Sequence, residues 1–159
     1  MSIELANETD SAVDLDEVHR LCTHVLAQMR INPLVDVSVT FIGDAAMADL
    51  HMRWMDLPGT TDVMSFPMDE LRPGEQGEGV LGDIVIDPEV ARRQALAAGH
   101  STMDEILLLT VHGMLHLMGF DHAQPQEKAE MFGYQRQLLL TWFAEREPGR
   151  TSIPEPTED

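Results

Sequence analysis

Residues 106–122 read ILLLTVHGMLHLMGFDH, and the first thirteen of them include no Asp, Glu, Lys or Arg. A helix that is apolar on every side is buried in a globular protein. Gly119 comes next, and glycine is favoured in the left-handed turn that ends many helices. The stretch therefore predicts a buried central helix that stops at Gly119, with the rest of the domain packed around it.

Apolar patterns on either side of this stretch predict further strands and helices. Alternation of apolar and polar residues predicts four short strands, at residues 2–7, 35–41, 63–66 and 81–86. Helical spacing with local capping residues predicts five helices, at about residues 14–31, 44–54, 88–98, 101–118 and 126–146. In the second helix, Met47, Leu50 and Trp54 share one face.

Length and composition bound the domain organisation. The chain has 159 residues, of which 43% are apolar, which is enough to build one compact core. We predict a single domain over residues 1–146. Residues 147–159, EPGRTSIPEPTED, hold three Pro and four acidic residues, a composition typical of a disordered tail.

Charge and cysteine content exclude several classes of protein. With 28 acidic and 10 basic residues, the net charge is -18, so a broad basic face for a nucleic-acid backbone is excluded and DNA is not an expected partner. Cys22 is the single cysteine, which rules out a disulfide framework and indicates a reducing compartment. Because neither a secretory signal nor an apolar run of roughly 18 residues occurs, a soluble, cytoplasmic protein without membrane contact is expected.

Three histidines at the end of the central helix predict a metal site. His112 and His116 are four residues apart, which places both imidazoles on one helical face. A turn at Gly119 allows His122 to supply a third nitrogen. Three imidazoles without a thiolate suit Zn²⁺ and leave a fourth position for water, as in catalytic sites. The other histidines share no such spacing and are expected on solvated faces, namely His19, His24, His51 and His100.

Two other interpretations of these histidines stay open. The spacing matches that of metzincin proteases, but Gly113 stands where those enzymes carry the glutamate that acts as general base. Hydrolysis of peptides is therefore the second functional hypothesis. The first is metal-assisted hydrolysis of another class of substrate. A structural zinc site is the other alternative, with the neighbouring Asp121 as fourth ligand.

Three ordered segments resemble the YbeY endoribonucleases, bacterial zinc enzymes of rRNA maturation and ribosome quality control. Residues 112–122 (HGMLHLMGFDH) are similar to the family signature, and residues 61–67 (TDVMSFP) and 81–86 (LGDIVI) are similar to its two other recurring segments. The resemblance covers most of the chain. It implies an α+β fold with a small mixed sheet flanked by helices, one zinc ion held by His112, His116 and His122, and hydrolysis of single-stranded RNA in 16S rRNA 3′-end maturation.

The chain departs from that family at one position. Many members have an arginine shortly before the Thr-Asp-Val segment, whereas Met55 occupies the aligned position here. Arg53 lies two residues earlier and is a candidate to replace it, although a solvated helix charge is the slightly favoured interpretation. Without a nearby cation, stabilisation of the negative charge that develops on a phosphodiester falls largely on the metal.

The remaining candidate residues come from the same segments. Asp121 is a candidate for orienting a ligand histidine, or a simple turn residue. Asp62, Ser65 and Asp83 are candidates for substrate binding. The general base and acid have no assignment.

The resemblance makes rRNA, the small ribosomal subunit and its proteins the expected partners. Residues 112–146 hold four acidic and three basic residues, so the excess acidity lies mostly elsewhere in the chain. A chain this acidic is still expected to bind naked RNA weakly and to need partners for targeting. A zinc-stabilised ribosome-assembly factor without catalytic activity is the third functional hypothesis, beside the RNA hydrolase and the protease.

Overall fold

The computed structural model describes residues 2–156, which form four strands and five helices. The elements follow the order β1 (Ser2–Asn7), α1 (Leu15–Gln28), β2 (Asp36–Phe41), α2 (Asp44–Met55), β3 (Val63–Pro67), β4 (Val80–Ile86), α3 (Pro88–Ala98), α4 (Thr102–Leu117) and α5 (Pro125–Arg146). Every predicted strand and helix is present within a few residues of its expected limits. The fold is a single α+β domain, as expected.

The strands form one mixed sheet in the order β1-β2-β4-β3. β1, β2 and β4 are parallel neighbours, and β3 pairs antiparallel with β4 at the edge. Parallel neighbours need a crossover connection, and α1 supplies it between β1 and β2. β3, which contains most of the segment TDVMSFP, is therefore one of the two edge strands and lies beside β4.

Helix α4 is the centre of the domain, as its apolar sequence predicts. All its residues from Glu105 to Val111 are buried, and the helix packs on β3, β4, α1, α3 and α5. Ser101 caps its first turn by accepting a hydrogen bond from the Asp104 backbone N–H at 3.0 Å, as the sequence predicts.

Besides His51, which is described with the site below, two of the histidines expected on solvated faces are partly buried. The ring of His24 contacts Trp142 and lies 2.9 Å from the Thr141 hydroxyl. His100 pairs with the buried carboxylate of Glu105. The prediction of solvated faces was wrong for both histidines. His24 contacts residues that are far away in the sequence, and His100 contacts a residue at the start of the next helix.

Residues 147–156 contain no helix or strand, but their side chains contact the domain. Arg150 pairs with Asp104 at 2.6 Å and lies over the Phe143 ring. Ile153 packs against the main core, and Glu155 pairs with Arg136. Disorder of residues 147–159 stays a prediction, and in the described part of the segment one arginine and one isoleucine contact the domain. Residues 157–159 lie outside the described part of the chain.

Membrane crossing has no candidate in the described structure. Within residues 2–156, no helix combines the length and the apolar character that a membrane span requires.

Candidate metal centre

The last turns of α4 and the loop after it bring three histidines together. His112 and His116 lie one turn apart on the same face of the helix. Gly119 adopts a left-handed conformation with φ of 97°, which turns the chain back as predicted. His122 then approaches the other two rings, at 5.3 Å from His112 and 5.2 Å from His116 between ring centroids.

The distances between the imidazole nitrogens fit a metal ion. The Nε2 atoms of His112 and His116 lie 3.1 Å apart, and one nitrogen from each of the three rings lies within 4.8 Å of the others. Two nitrogens bound to one tetrahedral Zn²⁺ at 2.0–2.1 Å are separated by about 3.3 Å. The three histidines can therefore hold a metal ion, with only small adjustment of the first pair.

Hydrogen bonds on the far side of two rings leave Nε2 free to bind. His112 Nδ1 lies 2.9 Å from the Gln135 amide oxygen, and His116 Nδ1 lies 2.9 Å from the Phe120 carbonyl oxygen. Each acceptor fixes the proton on Nδ1, so that the lone pair of Nε2 points to the neighbouring histidines. Neither partner was identified from the sequence, since Gln135 is 23 residues from His112 and a backbone carbonyl has no sequence signature.

Burial keeps two of the three histidines, His112 and His116, neutral near pH 7. It lowers the pKa of His116 to about 4, and the neighbouring imidazoles of His112 and His122 act in the same direction. Burial also lowers the pKa of His112, while the Gln135 hydrogen bond opposes this effect. Neutral imidazole is the form that binds a metal, so the site is prepared for one at physiological pH.

Replacement of Gln135 by leucine is expected to weaken metal binding about 10- to 100-fold, because loss of the amide oxygen frees the His112 ring and its tautomer. Gln135 is buried on α5, and leucine has a similar volume, so the fold is expected to persist. Competition with a chelator of known affinity measures the change. Gln137→Leu, at an exposed position on the same helix, serves as control, and equal affinities in both variants would contradict the expected role.

A cleft of about 450 Å³ opens beside the three histidines. Its walls come from the end of α2, the segment that precedes β3, and β3 itself. A smaller cavity on the other side of His112 reaches the buried Glu105. The histidines therefore lie at the boundary between an open cleft and the interior.

Two of the proposed substrate-binding residues lie in this cleft. Asp62 and Ser65 line it together with His112 and His116. Asp62 accepts a hydrogen bond from the Val63 backbone N–H at 2.8 Å, which fixes its carboxylate at the start of β3. The sequence segment that suggested both residues is thus adjacent to the histidine cluster in space.

The other three candidates do not line this cleft. The Asp83 carboxylate accepts a hydrogen bond from Ser38 at 2.6 Å, and because Ile84 beside it faces α4, Asp83 faces the other side of the sheet. Arg53 is exposed and is not among the cleft residues. Asp121 accepts a hydrogen bond from the His122 backbone N–H at 2.7 Å. It is not part of the group whose ligand atoms lie within 4.8 Å of one another among the described residues.

Three cleft residues on α2 were not predicted. His51, Trp54 and Met55 line the cleft, at i, i+3 and i+4 on one helical face. His51 Nδ1 is held by the Gly59 carbonyl oxygen at 2.9 Å, so its expected place on a solvated face was wrong. The helical spacing was visible in the sequence, but it does not show which face of an exposed helix borders a site.

Close packing explains the missing glutamate at Gly113. A Cβ added at this residue would lie 2.9 Å from Ile84 Cγ2, because α4 lies directly on β4 at this point. A side chain at residue 113 would also point into the sheet. The protease general base therefore has no room at the position where the metzincin pattern requires it.

Comparison with known proteins agrees with the fold and the three sequence segments. The family model described as Endoribonuclease YbeY matches residues 4–142. The Endoribonuclease YbeY of Beutenbergia cavernae is 57% identical over 150 residues, covering 92% of this chain and all of the relative. That of Bifidobacterium adolescentis is 54% identical over 164 aligned residues, covering this whole chain and 91% of the relative.

A solved structure shares the fold at low sequence identity. The solution structure of TM1509 from Thermotoga maritima matches with a TM-score of 0.64 and 21% identity, covering 94% of this chain and all of that one. On the family match and the identities above, the chain belongs to the YbeY endoribonuclease family.

Proposed function

We propose that the chain is a zinc-dependent endoribonuclease that cleaves single-stranded RNA at the cleft beside His112, His116 and His122. Family membership supports hydrolysis of RNA. The observation that carries the proposed location is the three-histidine group, with its Nε2 atoms oriented by Gln135 and Phe120, at the edge of an open cleft. We further propose maturation of the 16S rRNA 3′ end as the physiological reaction.

A bound zinc ion would lower the pKa of a water to about 7 and neutralise negative charge on the phosphodiester. The chain itself contributes the orientation of the ligands, through the acceptors on both Nδ1 atoms. It also contributes the cleft wall, where Asp62 and Ser65 are the proposed substrate-binding residues. Asp83 faces the other side of the sheet and Arg53 is not among the cleft residues, so both are left out of the proposed site. Asp121, held by the His122 backbone N–H, stays a candidate for orienting a histidine of the group.

The fold makes peptide hydrolysis a poor alternative. Proteases of the metzincin pattern use a glutamate next to the first histidine as general base, and the contact of Gly113 with Ile84 leaves no space for one. Among the cleft residues, Asp62 is the single carboxylate in the described structure.

The net charge of -18 bears on how the substrate is reached. Because binding of a nucleic-acid backbone depends on cations, we propose that rRNA on the small ribosomal subunit, together with ribosomal proteins, positions the enzyme. Tight, sequence-independent binding of naked RNA by the isolated protein at physiological salt would contradict this proposal.

Removal of the metal tests the proposed function directly. The purified protein is expected to contain one zinc per chain and to cut a labelled single-stranded RNA but not the matching duplex. A chelator is expected to abolish cleavage and added Zn²⁺ to restore it, because the histidines alone supply no water activation. Elemental analysis and gel separation of the RNA fragments provide the two measurements.

Each alternative function predicts a different result, measured with casein or in cells. Cleavage of casein without cleavage of RNA would support the protease. Normal 16S rRNA processing in cells by a folded protein that lacks all cleavage activity would support an assembly factor with a structural metal.

A further inference from the structure

We propose that Trp54 is a base-stacking residue, on which an unpaired base of the RNA substrate lies in the cleft. This proposal rests on the proposed function, since it takes RNA as the substrate. It adds the contact by which the cleft holds a nucleotide.

Trp54 is unusually exposed for a tryptophan and lies at the site. It is 62% exposed near the end of α2, although the sequence places it on one face with the buried Met47. Its ring lines the same cleft as His112 and His116. Exposure of a large apolar ring is unfavourable in water, so a partner that covers it would stabilise the complex.

Contact with Phe66 fixes the orientation of the Trp54 ring. The ring centroids are 5.6 Å apart at an interplanar angle of 69°, which is an edge-to-face arrangement. Such a contact engages at most one face of each ring. Another face of the indole therefore remains open to a planar group. Because Phe66 already fixes the ring, the ring loses little conformational freedom when a base stacks on it.

The charge of the cleft favours stacking over phosphate binding. Among the described residues, neither Lys nor Arg lines it, whereas Met55 does. Met55 itself is 56% exposed, so the wall beside Trp54 is apolar. Because binding through phosphates needs cations, stacking on aromatic rings is the remaining way for this wall to hold RNA.

Stacking on Trp54 also gives a physical reason for the proposed preference of the enzyme for single-stranded over double-stranded RNA. Bases of a duplex are already stacked on their neighbours, whereas an unpaired base can lie on a protein ring. Every base has a flat face, so the contact carries little sequence preference. The inferred ligand is an unpaired nucleotide of any sequence.

Replacement of Trp54 tests the proposal through the split between KM and kcat. Trp54→Ala is expected to raise KM for a short single-stranded RNA about tenfold or more, which is the range for loss of one base–aromatic contact. It is expected to leave kcat within about twofold, because the contact stabilises the bound substrate and the transition state equally. Trp54→Phe is expected to retain most of the affinity. Leu96→Ala, at a 71% exposed position on α3, is the matched surface control.

Fluorescence gives a readout that does not depend on cleavage. The chain has two tryptophans, and Trp142 is 5% exposed, so a single-stranded oligonucleotide is expected to quench mainly Trp54. Quenching is expected to disappear in Trp54→Phe and to persist in Leu96→Ala. A low dependence on salt is expected as well, because few phosphates are neutralised.

The outcomes separate this proposal from the proposed function. RNA cleavage by the native protein with an unchanged KM in Trp54→Ala would overturn the stacking role and leave the function intact. Quenching by RNA without any cleavage would support stacking while the function fails. Unchanged RNA binding in Trp54→Ala, combined with loss of binding to isolated small ribosomal subunits, would overturn the proposal and identify the patch as a protein contact.

Discussion

Replacement of His116 by alanine is expected to remove stoichiometric metal and to lower kcat/KM for single-stranded RNA by about a thousandfold or more. His116 lies beside both other histidines. Its Nε2 atom is 3.1 Å from that of His112, and its ring centroid is 5.2 Å from that of His122. Two remaining imidazoles hold zinc poorly, and a metal that activates water contributes several kcal/mol to catalysis, each 1.36 kcal/mol being about tenfold in rate.

Controls for this prediction separate the metal from the fold. His122→Ala changes the exposed member of the three-histidine group, so a stability effect is expected to be small while metal and activity are lost in the same way. His19→Ala changes an exposed histidine on α1 and is expected to retain both. Full cleavage activity in folded His116→Ala and His122→Ala proteins would show that this cluster is not the catalytic centre.

Replacement of Gly113 by glutamate is the second change with a large expected effect, a loss of more than about 3 kcal/mol in the free energy of unfolding. The sequence pattern suggests that this change would restore a protease site. The structure predicts unfolding instead, because the new Cβ would lie 2.9 Å from Ile84 Cγ2 and the carboxylate would enter an apolar interface. Denaturant unfolding measures the loss, and a casein assay is expected to show no proteolysis.

A second helical glycine provides the matched control. Gly133 lies on α5, and a Cβ added there would meet nothing within 4 Å. Gly133→Ala is expected to stabilise the protein by up to about 1 kcal/mol, the ordinary gain in helix propensity, whereas Gly113→Ala is expected to destabilise it. Similar effects at both glycines would contradict the packing explanation, and casein cleavage by Gly113→Glu would reopen the protease hypothesis.

Sequence signals for the ends of helices were reliable in this chain, because the interactions that end a helix join residues close together in the sequence. Asp87 accepts hydrogen bonds from the first turn of α3, Ser101 caps α4, and Gly99 and Gly119 take the left-handed conformation after their helices. Each of these features depends on residues no more than four apart. The same is true of His112 and His116, whose common face follows from helix geometry alone.

Contacts between segments that are distant in the sequence could not be predicted from such local signals. Gln135 reaches His112 from another helix, and Ile84 meets Gly113 from a strand. Asp62 and Asp83 look alike in sequence, but one lines the cleft and the other bonds to Ser38 on the opposite side of the sheet. Trp54 shares a helical face with the buried Met47, yet it is exposed because α2 extends past the core and ends beside the cleft.

The sequence by itself determined the order of strands and helices, the buried central helix, and the three histidines that can share one metal ion. Those results follow from the periodicity of apolar residues and from fixed spacing along a helix. The tertiary structure alone decided which side chains orient the histidines, why residue 113 has no side chain, and which aromatic ring borders the cleft. These depend on how β4 and α5 pack on α4 and on where α2 ends beside the cleft. Such packing brings together residues whose separation along the chain carries no signal.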